Sequence, residues 1–339
     1  MESRTSGAAR RLQSPSAAVT GTVVATGVVA AGAAVVGAPD WFGLSGARPF
    51  VWTVPFRVPV GLGLAGLAVV TGLAGIRWRR ALPAAVALAL AAAGSLGTTL
   101  ARGVSAGDLP PARDGDVTFL AANVLTARAD ADAVVRLAVE GGADAVSLPE
   151  STQEYAADVA ARIQARTGSA MQVFHLDDPG VHYGTSLLVS DRLGRYRATG
   201  ELTDGTKATV TAEPVSGQGP VLAAVHTAAP VPQHLHEWAV EVQAVADWCA
   251  ATPGALLAGD FNATLDHPGL QLAGSCVDAG EQTGTGARGT WPARVPALLG
   301  ATIDHALADG NRWRAVGTRV QDLPGSDHRA VLARWRPVS

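Results

Sequence analysis

Lysine is almost missing from this chain. Lys207 is the single example among 26 basic residues, an arginine-for-lysine bias of the kind seen in high-GC bacterial proteomes. Cysteine is nearly as scarce, with only Cys249 and Cys276. Their spacing has no CxxC or Cys/His pattern, which argues against a zinc site. The pair reads either as a disulfide of an oxidising compartment or as two buried thiols. No nucleophilic serine or cysteine motif stands out, and no internal repeat of fixed short period is evident. Positive charge also runs short beyond residue 102. There, 17 Lys and Arg stand against 27 Asp and Glu, a formal balance of −10. A protein that grips duplex phosphates carries a basic footprint. Generic DNA binding is therefore disfavoured, and only a local basic groove stays open.

What the chain does have is apolar sequence, unevenly placed. Hydrophobic residues make up 48% of its 339 residues. Residues 17–38, 58–76 and 81–100 are almost free of charge. Each is near the ~20 residues that span a bilayer as a helix. The first run, ending Val36-Gly37-Ala38, also has the look of a cleavable signal sequence. Two further runs without an intervening soluble segment favour a three-helix membrane anchor over residues 17–100.

Arginines set the expected topology. Arg4, Arg10 and Arg11 precede the first run, and Arg77, Arg79 and Arg80 separate the second from the third. Both clusters belong in the cytoplasm under the positive-inside rule. Residues 1–16 then form a cytoplasmic N-terminus. The intervening loop, 39–57, carries Trp41, Phe42, Phe50, Trp52 and Phe56, aromatics suited to the opposite interface. Arg48 and Arg57 weaken the contrast there. Three crossings put the remainder outside the cytoplasmic membrane of a multi-pass protein.

Residues 101–116 read as a Gly/Pro-bearing linker and 117–339 as one domain. Val117–Val124 has the continuous apolar character of a buried strand, and Asp130–Gly141 has helical spacing. Ala145–Leu148 is a short strand ending at Glu150. Ser151, with Glu154 three residues on, fits a capping box for a helix running to about Arg166. A run of strands follows, then a helix over Gln233–Cys249, then more strands. An α/β start followed by strands, a helix and strands predicts a layered α+β sandwich.

Polar motifs stand at the strand ends. Asp260 and Asn262 flank Phe261, so an extended backbone points both to one face. They provide a carboxylate for a water or metal and an amide for a phosphoryl oxygen, although an Asx turn has the same composition. Asp327-His328 places a carboxylate beside an imidazole, the pairing of a general base. Asp304 is a candidate buried orienter, with His305 packing on the opposite face. His226 ends the run Val221–Val225. Glu150 alone, with waters and substrate oxygens, is the kind of site that holds Mg²⁺, and it also suits the start of a helix. Asn123, at the neighbouring strand end, completes such a site.

In this order the motifs resemble the endonuclease/exonuclease/phosphatase superfamily, the DNase I-like fold. The matching stretches are Ala121–Val124, Leu148–Glu150, Tyr183–Leu188, Ala224–Thr227, Gly259–Asn262, Thr290–Pro292, Ile303–His305 and Ser326–His328. The resemblance implies a four-layer α/β/β/α sandwich behind the transmembrane region. It implies that Glu150 and Asn123 bind Mg²⁺ or Mn²⁺ and that Asp260 positions or activates the attacking water. Asn262 and His226 would contact the scissile phosphate, Asp327 would orient His328, and Asp304 would be a supporting carboxylate. Two residues after Asn123, where many members carry another polar residue, stands Leu125.

Thr290-Trp291-Pro292 and the multi-span anchor are similar to a bacterial membrane-bound branch that includes teicoplanin-resistance-type proteins. That likeness implies a metal-dependent phosphohydrolase or phosphodiesterase acting on lipid-linked or cell-envelope phosphate esters. An extracytoplasmic endonuclease or exonuclease, and a non-catalytic envelope binding or resistance module, are the alternatives. Trp291 reads as a packed aromatic or as the wall of a substrate pocket.

Overall fold

In the computed structural model, residues 17–202, 205, 207–272 and 274–338 are described. The first basic cluster (Arg4, Arg10, Arg11) lies outside them. Helices come first: α1 (Ala17–Gly37), the short α2 (Phe50–Thr53), α3 (Arg57–Arg77) and α4 (Leu82–Arg102). Among the described residues two helical stretches are long and apolar enough to cross a bilayer, Phe50–Arg77 and Arg79–Arg102. Val24–Gly37 is a shorter apolar stretch. Only 22% of each long window is buried within the protein, unlike the core helix of a globular domain. Leu62, Leu67, Val70, Leu73 and Ile76 all turn apolar surface outward. Between the helices small residues permit close approach: a Cβ on Gly37 would lie 2.9 Å from the Ala91 carbonyl oxygen.

Two sheets form the rest. The strands are β1 (Gly107–Asp108), β2 (Val117–Ala121), β3 (Ala145–Ser151), β4 (Met171–Asp177), β5 (Gly184–Ser190), β6 (Tyr196–Glu201), β7 (Val210–Pro214), β8 (Val221–His226), β9 (Ala255–Asp260), β10 (Cys276–Asp278), β11 (Asp304–Asp309), β12 (Trp313–Asp322) and β13 (Arg329–Pro337). Their orders are β1-β12-β13-β2-β3-β5-β4 and β10-β11-β9-β8-β7-β6. The helices α5 (Ala131–Gly141), α6 (Gln153–Thr167), α7 (Leu235–Ala251) and α8 (Ala279–Thr283) complete the chain.

Side-chain alternation explains the layering. From β2, Val117, Phe119 and Ala121 join Leu256 and Ala258 of β9 in a core between the sheets. Leu120 points the other way, to Val134 and Leu137 of α5 and Val159 of α6. Leu257 likewise leaves the second sheet to meet Trp238, Val242 and Val245 of α7. Both faces of the central strands are buried, so the sequence shows continuous apolar runs rather than alternation. The result is a mixed-sheet sandwich with helices outside.

Two local expectations change, and one open alternative closes. β3 runs on through a bulge at Glu150 to Ser151, so Ser151 is not the cap. Its hydroxyl donates to the Leu148 carbonyl, and Thr152 caps α6 by accepting from the Tyr155 amide at 3.1 Å. The 101–116 linker is not free: Gly107–Asp108 pairs with β12 as an edge strand, and Arg334 donates to the Pro110 carbonyl. Cys249 of α7 and Cys276 of β10 are joined as a disulfide, with Cα atoms 5.6 Å apart.

Loop 39–57 and residues from 103 onward meet at one end of the helices. There Arg57 forms a two-point ion pair with the buried Asp266 carboxylate, with Nε–Oδ2 2.8 Å. Arg57 also reaches Asp40 at 2.6 Å, and Arg102 meets Asp266 at 2.7 Å. Arg48 donates to the Pro232 carbonyl at 2.8 Å. Both arginines of the loop are thus committed to docking the helices on the sandwich. Val51 is fully buried in the α7 core.

Candidate active site

Strand register assembles the site. His226 is the parallel partner of Asp260, and Asp304 is its antiparallel partner. Three polar residues thus lie side by side at the ends of β8, β9 and β11. Gly259 makes this approach possible, since a Cβ there would lie 1.9 Å from the Val225 carbonyl oxygen. The first sheet brings Asn123, Glu150 and His328 to the same end. Asn123 Nδ2 bridges the sheets, donating to Glu150 Oε1 at 3.1 Å and Asp260 Oδ2 at 3.0 Å.

Left-handed non-glycine backbone collects at this place. Among the described residues, five non-glycine residues have positive φ: Leu125, Thr126, Ala127, Glu150 and Asn262. Left-handed backbone is costly for residues with a Cβ and tends to collect at functional sites. Its effect here is concrete. The turn 125–127 aims the Thr126 amide at Glu150 Oε2 at 3.1 Å, and Asn123 Oδ1 accepts from the Leu125 amide at 2.9 Å. Leu125 therefore contributes its backbone where the resemblance led one to look for a polar side chain.

Asn262 is left-handed rather than extended, so it does not simply share a strand face with Asp260. Asp260 Oδ1 accepts from the Asn262 amide at 2.8 Å, an Asx turn, while Asn262 Nδ2 donates to the Thr227 carbonyl at 2.9 Å. Phe261 is fully buried, as alternation predicts. His305 turns away, between Asp278 and the Ala263 carbonyl.

His328 is held by Asp304, not by its neighbour Asp327. Asp304 Oδ2 lies 2.9 Å from His328 Nδ1, whereas Asp327 Oδ1 is 4.0 Å from Nε2. Asp327 instead accepts from Trp291 Nε1 at 3.0 Å. Adjacent residues leave the backbone in different directions, so sequence proximity misassigned the carboxylate. Thr290 and Ser326 also escaped notice as supports. Thr290 Oγ1 accepts from the Asp304 amide, and Ser326 Oγ donates to the Asn123 carbonyl while accepting from the His328 amide.

The electrostatics separate the two histidines. Burial pushes the His226 pKa well below its ordinary value, and the charges of Lys207 and His328 add to this. Burial also opposes charge on His328, but Asp304, Asp260 and Asp327 outweigh it and raise its pKa to about 10. Desolvation raises Asp260 to about 7, against the pull of His328. The site thus pairs a neutral imidazole with a charged one, beside a carboxyl poised near neutrality. Opposed shifts of this kind mark acid–base sites.

Two groupings offer metal ligands. Asp260, Asp304 and His328 bring one ligand atom each within 4.8 Å of one another. A protonated imidazole does not ligate a metal, and His328 is held by Asp304. Glu150 and Asn123 offer a carboxylate and an amide oxygen, donors that suit a hard cation.

The sequence profile of the Endonuclease/Exonuclease/phosphatase family matches residues 120–328. The chain belongs to this family. Members of the endonuclease/exonuclease/phosphatase family are hydrolases acting on phosphate esters, nucleic acids among them, and are typically metal-dependent. Solved structures agree on the fold. A humanised Danio rerio TDP2 is 17% identical with a TM-score of 0.50, over 66% of this chain and 100% of that one. An endonuclease/exonuclease/phosphatase from Beutenbergia cavernae is 19% identical with a TM-score of 0.50, over 66% and 72%. One from Bacteroides vulgatus is 16% identical with a TM-score of 0.50, over 66% and 99%. No curated protein matches the chain by sequence.

Proposed function

We propose that the protein is a membrane-anchored, Mg²⁺- or Mn²⁺-dependent phosphohydrolase. Its catalytic domain faces away from the cytoplasm and hydrolyses lipid-linked or other cell-envelope phosphate esters. The observation that carries the catalytic part is the Asp260–Asp304–His328 cluster, hydrogen-bonded through Asn123 to Glu150. The outward apolar faces of α3 and α4 support the anchor. A disulfide in the sandwich supports an oxidising compartment. The −10 balance beyond residue 102 favours a small phosphate ester over duplex DNA.

In this reading Glu150 and Asn123 would hold the cation, which would supply Lewis acidity for phosphoryl transfer when bound. Asp260, its pKa near neutrality, takes the proton of the attacking water. His328, kept charged by Asp304, donates from Nε2 to the phosphoryl oxygens as negative charge grows. Neutral His226, whose Nδ1 has no partner among the described residues, and Asn262 orient the phosphate. Asp327 steadies Trp291 at the rim.

A nuclease of the same fold is the second reading, favoured only by the family's use of nucleic acids. The test is phosphate release by the purified full-length protein from prenyl pyrophosphate, phospholipid, nucleotide and DNA, with Mg²⁺ or EDTA. Metal-dependent turnover of a lipid phosphate, abolished in His328→Ala, is expected. Cleavage of DNA alone would establish the nuclease. No turnover by folded protein would point to a binding module.

A further inference from the structure

A cavity of about 480 Å³ opens beside the catalytic cluster. Asn262 and His328 stand on one side of it, and Trp52, Phe56, Trp291 and Ile303 form its apolar walls. Trp52 and Phe56 come from the segment between α1 and α3, more than 270 residues before His328 in the chain. The volume lies in the ~300–1,000 Å³ range that encloses a small organic ligand.

The chemistry of the walls narrows the occupant. A nucleobase, sugar or glycerol ester needs placed donors and acceptors. Here they are already engaged. Trp52 Nε1 donates to the Pro230 carbonyl at 2.6 Å and Trp291 Nε1 to Asp327 at 3.0 Å. His267 accepts from the Thr264 amide at Nδ1 and meets the Val51 carbonyl at Nε2. Asn262 and His328 alone present polar side chains that the phosphate would use. Phe56 also sits at the foot of α3, whose outward face is apolar, so a chain leaving the cavity has apolar surface to follow.

We propose that loop 39–57 is part of the active site and forms a subsite for a hydrocarbon chain joined directly to the substrate phosphate. The subsite sets specificity for alkyl or isoprenoid phosphates over glycerophospholipids and nucleotides. This rests on the phosphohydrolase reading, but binding can test it without turnover.

The experiment uses full-length protein in lipid nanodiscs with EDTA, and non-hydrolysable phosphonates as probes. Titration calorimetry compares methylphosphonate with decylphosphonate, subtracting partition into empty discs. Wild type should bind the long chain at least roughly 100-fold more tightly, as burial of several methylenes requires. Phe56→Ala, and separately Trp52→Ala, should each cut that ratio by about tenfold or more while methylphosphonate affinity holds. A wild-type ratio near one, or a ratio untouched in both folded variants, would overturn the subsite. Preserved chain selectivity without hydrolysis of any phosphate ester would instead sink the enzymatic reading and leave the subsite standing.

Discussion

Asp304 opens β11 in one sheet, His328 immediately precedes β13 of the other, and the two meet at 2.9 Å. The contact fixes the ring through Nδ1 and turns Nε2 toward Asp260, 3.8 Å away. In the proposed mechanism it makes Asp304 the positioning residue of His328.

Asp304→Asn should therefore lower kcat by about 10²-fold or more, because the imidazole loses the partner that holds its orientation and charge. Asp327→Asn should cost less than about tenfold, since its carboxylate holds Trp291 directly and reaches His328 only at 4.0 Å. Steady-state kinetics on the best phosphate ester separates them. Equal losses would return Asp327 to the central role.

The pH profile carries two signatures. The rate should rise through about pH 7 as Asp260 loses its proton. Stability should move the other way. The folded His328 pKa, about 10, exceeds the ~6.5 of a free imidazole. Its contribution is thus complete below about pH 6.5 and is lost as pH climbs to about 10. Thermal melts in EDTA across that range should show Tm falling, with a flatter curve for His328→Gln.

Removing the disulfide should destabilise without disabling. Cys249 and Cys276 lie 27 residues apart, so Cys249→Ser with Cys276→Ser should cost about 3 kcal/mol. Denaturant melts with and without reductant measure it. Identical midpoints would mean that the bond contributes nothing to folding.

Asp266 lies between Arg57 and Arg102 and is almost fully buried. Burial alone would raise its pKa, but the two guanidiniums hold it below the usual carboxylate range. Asp266→Ala removes the carboxylate that Arg57 and Arg102 share, leaving Arg57 only Asp40 and Arg102 only Glu281, and should cost up to about 3 kcal/mol. Limited proteolysis should then reach loop 39–57, which wild type protects. Unchanged cleavage would show the ion cluster to be dispensable.

The readable part of this molecule was the part governed by short-range pattern. Apolar strands ending in Asn123, Glu150, His226 and Asp260 are visible because each polar residue closes its own run. Pairings that depend on two sheets meeting were not. Asp304 with His328 and Asn123 with Asp260 join residues 24 and 137 positions apart. The cap shifted from Ser151 to Thr152 because the bulge at Glu150 extends the strand by tertiary pairing. Loop 39–57 reads as interface aromatics, and nothing local in it points to a cavity wall.

Val51 has one more implication. It is buried among Trp238, Val242 and Leu270, and its carbonyl meets His267 Nε2 at 3.0 Å. A protease that cut after Arg102 and released the sandwich would leave a socket in its interior and an imidazole without its partner. A cut there leaves no clean seam, because α2 supplies one side chain of the sandwich's own interior while the longer helices pack in a separate apolar cluster.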